Sequence, residues 1–358
     1  MRHISLLFVL ISIVLSTTAC QSTKEAAFGP EIRIAHTLRN PNIFAQLPEA
    51  FFRLDSVLVV ISPRIGDGFG RLLSTRTYQE IGHFGVVGKG PTEVVWASAF
   101  PYTNGGPDSS FMAYDLASRS VITYTLQKQG DSLTMRGHNK RRVDQGDVPT
   151  QNNLNICLLN KDTYMGACFH QQDSIFSLID STLNQVGYFG TSPIPESISN
   201  AAERLQGLLM SSYGIAVYTP LDFPYIACYH LDTQKKPQKL WEDTFSEMVY
   251  RIEGARLNRV PERIKGVTED TKVGKKHIYV LWYDDTQNAY SNRPDPMAIP
   301  GADVILIYDH DGNRIARLRT DIDLYNIELS EDERTLYALT APNCELVTFE
   351  LPEKYPVE

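Results

Sequence analysis

Residues 77–93 read TYQEIGHFGVVGKGPTE, and their reading decides the fold. Tyr78 to His83 form the pattern of an outer strand. A link follows with Gly82, Gly85, Gly88 and Gly90, then Pro91 and Glu93. Glycine reaches backbone angles that other residues resist, and proline fixes the exit of the chain. Such a link delivers the chain from the edge of one sheet to the next. Glu93 is placed to accept N–H bonds from the link and pin the two sheets together. Gly88, Gly90, Pro91 and Glu93 are therefore predicted to be structural.

Working outward, short strands bounded by turns recur with a period of about 40–50 residues, the range of propeller blades. The first unit holds 56–62, 71–75 and 77–84. The second holds 111–115 and 121–127. The third holds 154–160, 163–169, 174–180 and 184–190. The fourth holds 205–212, 214–219, 225–232 and 238–243. The fifth holds 263–269, 277–284, 302–309 and 314–320. The sixth supplies only 324–330, 334–340 and 345–351. An isolated alternating segment, EIRIAHTL at 31–38, is left over. It is expected to fill the sixth unit and close the ring, which removes exposed sheet edges. Residues 39–50 read as a loop. Two polar stretches, 128–152 and 285–301, read as long loops on the ring.

The strand ending in IG, the glycine-rich link and the GxGPxE of residues 88–93 are similar to the hallmark of a known family. These are the six-bladed β-propeller lipoproteins of Bacteroidetes, the TolB-like and NHL-like propellers. Residues 326–340, NIELSEDERTLYALT, also resemble that family's blade core, with Glu331-Asp332-Glu333 as the turn. The resemblance covers roughly residues 50–351. It implies an all-β, six-bladed β-propeller and brings no catalytic residues with it, because the motifs are structural.

The first residues carry Arg2, then the apolar run ISLLFVLISIVL at 4–15, then small residues up to Ala19-Cys20. An apolar run of this length fits a signal peptide better than a membrane span. Ala19-Cys20 resembles a bacterial lipobox, which makes Cys20 the lipidation site. The expected domains are a signal peptide at 1–19, a tether at 20–30 and the propeller at 31–352. The expected location is the cell envelope, lipid-anchored at the periplasmic side or the outer-membrane surface. Cys157, Cys168, Cys228 and Cys344 lack CxxC spacing and are expected to be buried free thiols. The net charge of −8 argues against sequence-independent nucleic-acid binding, which needs a basic face.

No catalytic motif survives inspection. GVVGKG at 85–90 lacks the first glycine and the final Ser/Thr of a P-loop. DHDGN at 309–313 has Arg314 where a calcium loop needs glycine, and reads as a hairpin turn. The histidines show no zinc spacing, and no GxSxG is present. No metal and no cofactor are expected. The reading is a non-catalytic binding or scaffolding module for an envelope protein or glycan. The alternative is a propeller lyase or metal-dependent hydrolase with its site at the central channel. Candidate binding residues are His83, Lys89, Tyr218, Asp222, Tyr229, Tyr290, Asn292 and Arg293. The basic run Asn139-Lys140-Arg141-Arg142 reads as a solvated loop, with an acidic partner or anionic headgroup as its other use.

Overall fold

The computed structural model describes residues 27–43, 48–62, 68–101, 110–115, 117–118, 120–129, 132–142, 156–160, 163–171, 174–180, 182, 184–194, 205–231, 236–260, 262–263, 266–285, 301–341 and 343–356. Every regular element described in them is a strand.

Two short strands come first, β1 (Glu31–Ile34) and β2 (Thr37–Asn40). A four-stranded antiparallel sheet follows in chain order: β3 (Ala50–Leu54), β4 (Val57–Ile61), β5 (Gly70–Ser74) and β6 (Glu80–Phe84). The second sheet is β7 (Ala97–Pro101), β8 (Ser110–Asp115), β9 (Ser120–Gln129) and β10 (Ser132–Arg142). The third is β11 (Ile156–Asn160), β12 (Thr163–Gln171), β13 (Ser174–Asp180) and β14 (Gln185–Phe189). The fourth is β15 (Gly207–Ser212), β16 (Ile215–Pro220), β17 (Tyr225–His230) and β18 (Gln238–Thr244). A separate hairpin, β19 (Tyr250–Glu253) with β20 (Arg256–Arg259), sits on the way to the next sheet. Then come β21 (Thr268–Val273), β22 (His277–Trp282), β23 (Ala302–Asp309), the 16-residue β24 (Arg314–Leu329), β25 (Thr335–Thr340) and β26 (Leu346–Glu350).

The alternation of side chains explains how the sheets stack. Successive residues of a strand point to opposite faces. In β4, Val57, Val59 and Ile61 pack with Phe111, Ala113 and Tyr124 of the second sheet. Leu58 and Val60, between them, pack with Tyr337, Leu339 and Leu346 of β25 and β26. The whole of β4 is buried, and each such aliphatic side chain contributes about 1.5–3 kcal/mol. The fourth sheet repeats the scheme. Ala216 and Tyr218 face Phe176 and Phe189 of the third sheet, while Ile215 and Val217 face Ile278, Val280 and Trp282. A middle strand hydrophobic on both faces needs a sheet on each side. Four-stranded meanders stacked in this way are the blades of a β-propeller. β21 to β26 join β1 and β2 in one eight-stranded sheet. Across the molecule β3 lies beside β7, β7 beside β11, β11 beside β15, β15 beside β21, β21 beside β24, and β24 beside β3.

The structure corrects several boundaries. The segment 31–38 is two strands, not one. β1 runs parallel to residues 317–320 of β24, and β2 pairs antiparallel with β26. The strand expected at 263–269 begins instead at Thr268, as β21. The segments forming β3 and β7 and the β19–β20 hairpin were not recognised as strands in the sequence. The largest change is at 128–152. Residues 132–142 form β10, paired along β9, so Asn139 to Arg142 lie on an edge strand and not in a loop. An edge strand is covered on one face only, so alternate residues suffice to hold it: Met135 is buried while Thr134 and Arg136 are exposed. That pattern looks polar in a sequence.

Candidate functional site

Two polar constellations stand out, and each is built from main-chain geometry. The first is the 85–94 link. β6 ends at Phe84, and Gly85 takes φ 81°. A Cβ there would lie 2.3 Å from the Phe69 ring, so both angle and space demand glycine. The link then folds on itself, with Val94 N–H donating to Val86 O (3.0 Å) and Gly88 N–H to Val94 O (3.1 Å). Glu93 accepts the Gly90 N–H at 2.7 Å. A Cβ on Gly88 would sit 2.1 Å from the same carboxylate. From β10, Lys140 Nζ donates to the carbonyls of Gly90 and Glu93. The link is thereby fastened to the second sheet.

The second constellation lies on β21, β24 and β3, which run side by side. Asp270 and Lys272 are two apart on β21, hence on one face, and only 6% and 7% exposed. The Asp270 carboxylate accepts its neighbour's N–H from Thr271 (2.8 Å) and the Ile327 N–H of β24 (3.0 Å). Lys272 Nζ lies 3.5 Å from Asp270 and 3.9 Å from Glu328, and donates to Phe51 O of β3 at 2.9 Å. Arg53 Nε, on β3, donates to Leu329 O (3.2 Å). Burial pushes the carboxyls of Asp270 and Glu328 up, and the Lys272 ammonium only partly offsets this. One ammonium thus serves two carboxylates in a dry environment, where an ion pair is retained for the arrangement it specifies more than for net stability. Close by, Glu333 at the β24–β25 turn bonds Lys276 N–H (2.6 Å), His277 (3.1 Å) and Tyr279 (3.2 Å). Burial pushes that carboxyl up, but these bonds outweigh it and hold it below the usual range. No group of three or more His, Cys, Asp and Glu side chains suited to a metal occurs among the described residues.

The candidate binding residues are dispersed. Tyr218 and Tyr229 are 0% and 1% exposed. Both rings pack edge-on against Phe176, and the Tyr218 hydroxyl donates to Leu205 O. They are core residues between the third and fourth sheets, which corrects their assignment as binding residues: a ligand cannot reach rings that the neighbouring sheet covers. Asp222 is half-buried in the turn between β16 and β17. His83 and Lys89 are exposed, on β6 and the link. Tyr290, Asn292, Arg293, most of the 285–301 loop and Cys20 lie outside the described residues. The inner-strand charges escaped the sequence reading. Their signal was TEDTKV at 268–273, a charged alternation on a strand whose start was misplaced. Cys228 and Cys344 are buried free thiols. The register sets Cys157 opposite Met165, not Cys168.

No protein-family model matches the sequence, and no curated protein matches it. Solved structures do. An exported protein from Bacteroides fragilis is similar over 89% of this chain and 98% of its own, with 9% identity and a TM-score of 0.54. A member of the DUF4221 family from Bacteroides vulgatus is similar over 88% of this chain and 97% of its own, with 10% identity and a TM-score of 0.55. At such identities the likeness is one of fold.

Proposed function

We propose that the chain is a six-bladed β-propeller closed by its N-terminal strand, tethered to the cell envelope through acylated Cys20, and that it binds a protein or glycan partner without catalysing a reaction. The blade count is supported by β24. Its first half pairs with β23 and, on its other side, with β1, and its second half pairs with β25. The eight-stranded sheet thus divides into one blade of β21, β22, β23 and β24 with β1 added at its edge and one of β24, β25, β26 and β2. β2, on β26, is then the outer strand of the last blade. An envelope location is supported by the run 4–15 before Ala19-Cys20 and by the exported protein of similar fold. The domains follow as 1–19, 20–30 and 31–352.

The observation that carries the binding reading is how the inner charges are used. Asp270, Lys272 and Arg53 bond the main chain of neighbouring first strands. Charges employed in this way hold the wall of a scaffold. Recognition then belongs to the surface and loops that the rigid ring presents. The test is crosslinking and co-purification from envelope membranes, with Cys20→Ala alongside. A membrane-bound wild type with a reproducible partner and a soluble variant is the expected result. Turnover of glycans, lactones or peptides by the purified protein would replace this reading with an enzymatic one.

A further inference from the structure

We infer that the end of the second sheet nearest the 85–94 link is a docking surface for an acidic, apolar segment of a partner protein. This rests on the reading of the chain as a binding module and gives that module a face and a partner chemistry.

Hydrogen bonds bring the parts together. Asp115, at the end of β8, accepts the N–H groups of Val95 and Trp96 (both 3.1 Å) and the Ser118 hydroxyl. Ser118 bonds Ser120 (2.6 Å), and Ser120 stands opposite Arg142 in the β9–β10 register. Lys140 reaches the carbonyls of the link. Trp96, the link and the end of β10 therefore share one end of this sheet. There Val86 (61%), Val87 (47%) and Trp96 (41%) are exposed, and so are Lys89, Arg141 and Arg142. Among the described residues of these segments the carboxylates are turned onto N–H groups: Glu93 onto Gly90, and Asp115, 0% exposed, onto Val95 and Trp96. The surface is thus cationic and apolar on a chain of net charge −8. Charge complementarity calls for an anionic partner.

Two observations choose among anionic partners. The valines offer no hydroxyl-bonding group and no stacking plane, so an acidic glycan would leave them uncovered. A peptide that alternates carboxylates with apolar side chains covers both. The second concerns direction. Phe28 packs on Tyr308 and Arg314, beside the turn from the third to the fourth strand of its blade. The 85–94 link leaves the far end of a fourth strand, which in a propeller is the opposite face. Phe28 and the cationic end thus lie on opposite faces, which favours a protein partner over the membrane that would hold Cys20.

The test uses the full mature chain in detergent and a labelled extended peptide alternating glutamate and leucine. Trp96 is the exposed one among the three tryptophans, so its emission reports contact. Binding that weakens with salt and shifts this emission is expected. The double variant Lys89→Glu/Arg142→Glu should weaken it about tenfold or more, since it reverses two rim charges. Val87→Ser should weaken it as well. Unchanged melting in both variants confirms an intact fold. Equal peptide affinity for wild type and the double variant overturns the proposal. So does tighter binding of polyglucuronate or of phosphatidylglycerol vesicles than of the peptide. Envelope co-purification separates the two readings. Partners lost with the double variant support this surface. Partners recovered equally with it overturn the surface and leave the binding module standing.

Discussion

Glu93 closes a link of glycines with one carboxylate, and Glu93→Ala leaves the Gly90 N–H without its acceptor. The expected cost is about 1–3 kcal/mol in urea unfolding. Glu93→Gln, which keeps an acceptor oxygen, should recover part of it. Loss of partner binding with unchanged stability would instead make Glu93 a recognition residue. Two other carboxyls predict opposite pH behaviour. Glu333 is held below its ordinary value of 4.5, so its contribution is present above that value and is lost as pH falls through the lowered one. The penalty of Glu333→Gln should therefore shrink on acidification. Asp270 is held above its ordinary value of 3.8. The folded state then binds the proton first, so this site favours folding as pH falls toward the ordinary value. Asp270→Asn mimics the protonated form, and its penalty should be larger near about pH 4 than near about pH 8. Urea melts at the two pH values check both signs. A penalty for Asp270→Asn that grows with pH would mean that Lys272 outweighs the effect of burial.

At the scale of elements, the N-terminal pair β1 and β2 is tied to the far end of the chain. Residues 37–40 pair with β26, and Arg39 Nε donates to Thr348 Oγ1 at 2.8 Å. The buried Asn40 also donates to Tyr78 O (2.8 Å), in the turn between β5 and β6. Deleting residues 30–40 would strip a row of ladder bonds from β26 and uncover its edge. Broadened, non-cooperative melting with aggregation is the expected outcome. A truncated chain that melts like the wild type would refute the role given to this pair. β10 teaches the complementary lesson. Its residues 139–142 looked like a solvated basic loop because an edge strand needs few apolar residues. A strand solvated along one side leaves a faint hydrophobic signal. β4, buried on both faces, was unmistakable.

For the whole molecule, the proposed ring and anchor make two further outcomes measurable. Cys20→Ala should abolish lipid mass and move the protein from membranes to the soluble fraction, since stable anchoring needs the acyl chains. Detergent partitioning that does not change would count against the anchor. Shortening 285–301 to a two-residue turn should leave melting intact, because β22 and β23, which flank it, pair from His277–Asp309 to Trp282–Val304 without the loop. If that loop contributes to recognition, partner yield falls. If the same partners return at the same yield, recognition rests elsewhere, and the cationic end of the second sheet is the next place to look.

By itself the sequence determined the strand-rich, all-β character, the repeat period and most middle strands. Those features are local: period-2 alternation, turn residues and glycine-rich links act over a few residues. It also marked Glu93 among the link residues, because donors and acceptor lie within one short segment. Only the tertiary structure decided which residues are neighbours across sheets. It buried Tyr218 and Tyr229 between two sheets, because the covering residues come from β13 and β14. It joined Asp270 and Lys272 to Ile327 and Phe51, partners 57 and 221 positions away in the chain. It also gathered Trp96, Lys89 and Arg142 at one sheet end. Such juxtapositions depend on how blades stack about an axis, and spacing along the chain carries no trace of that stacking.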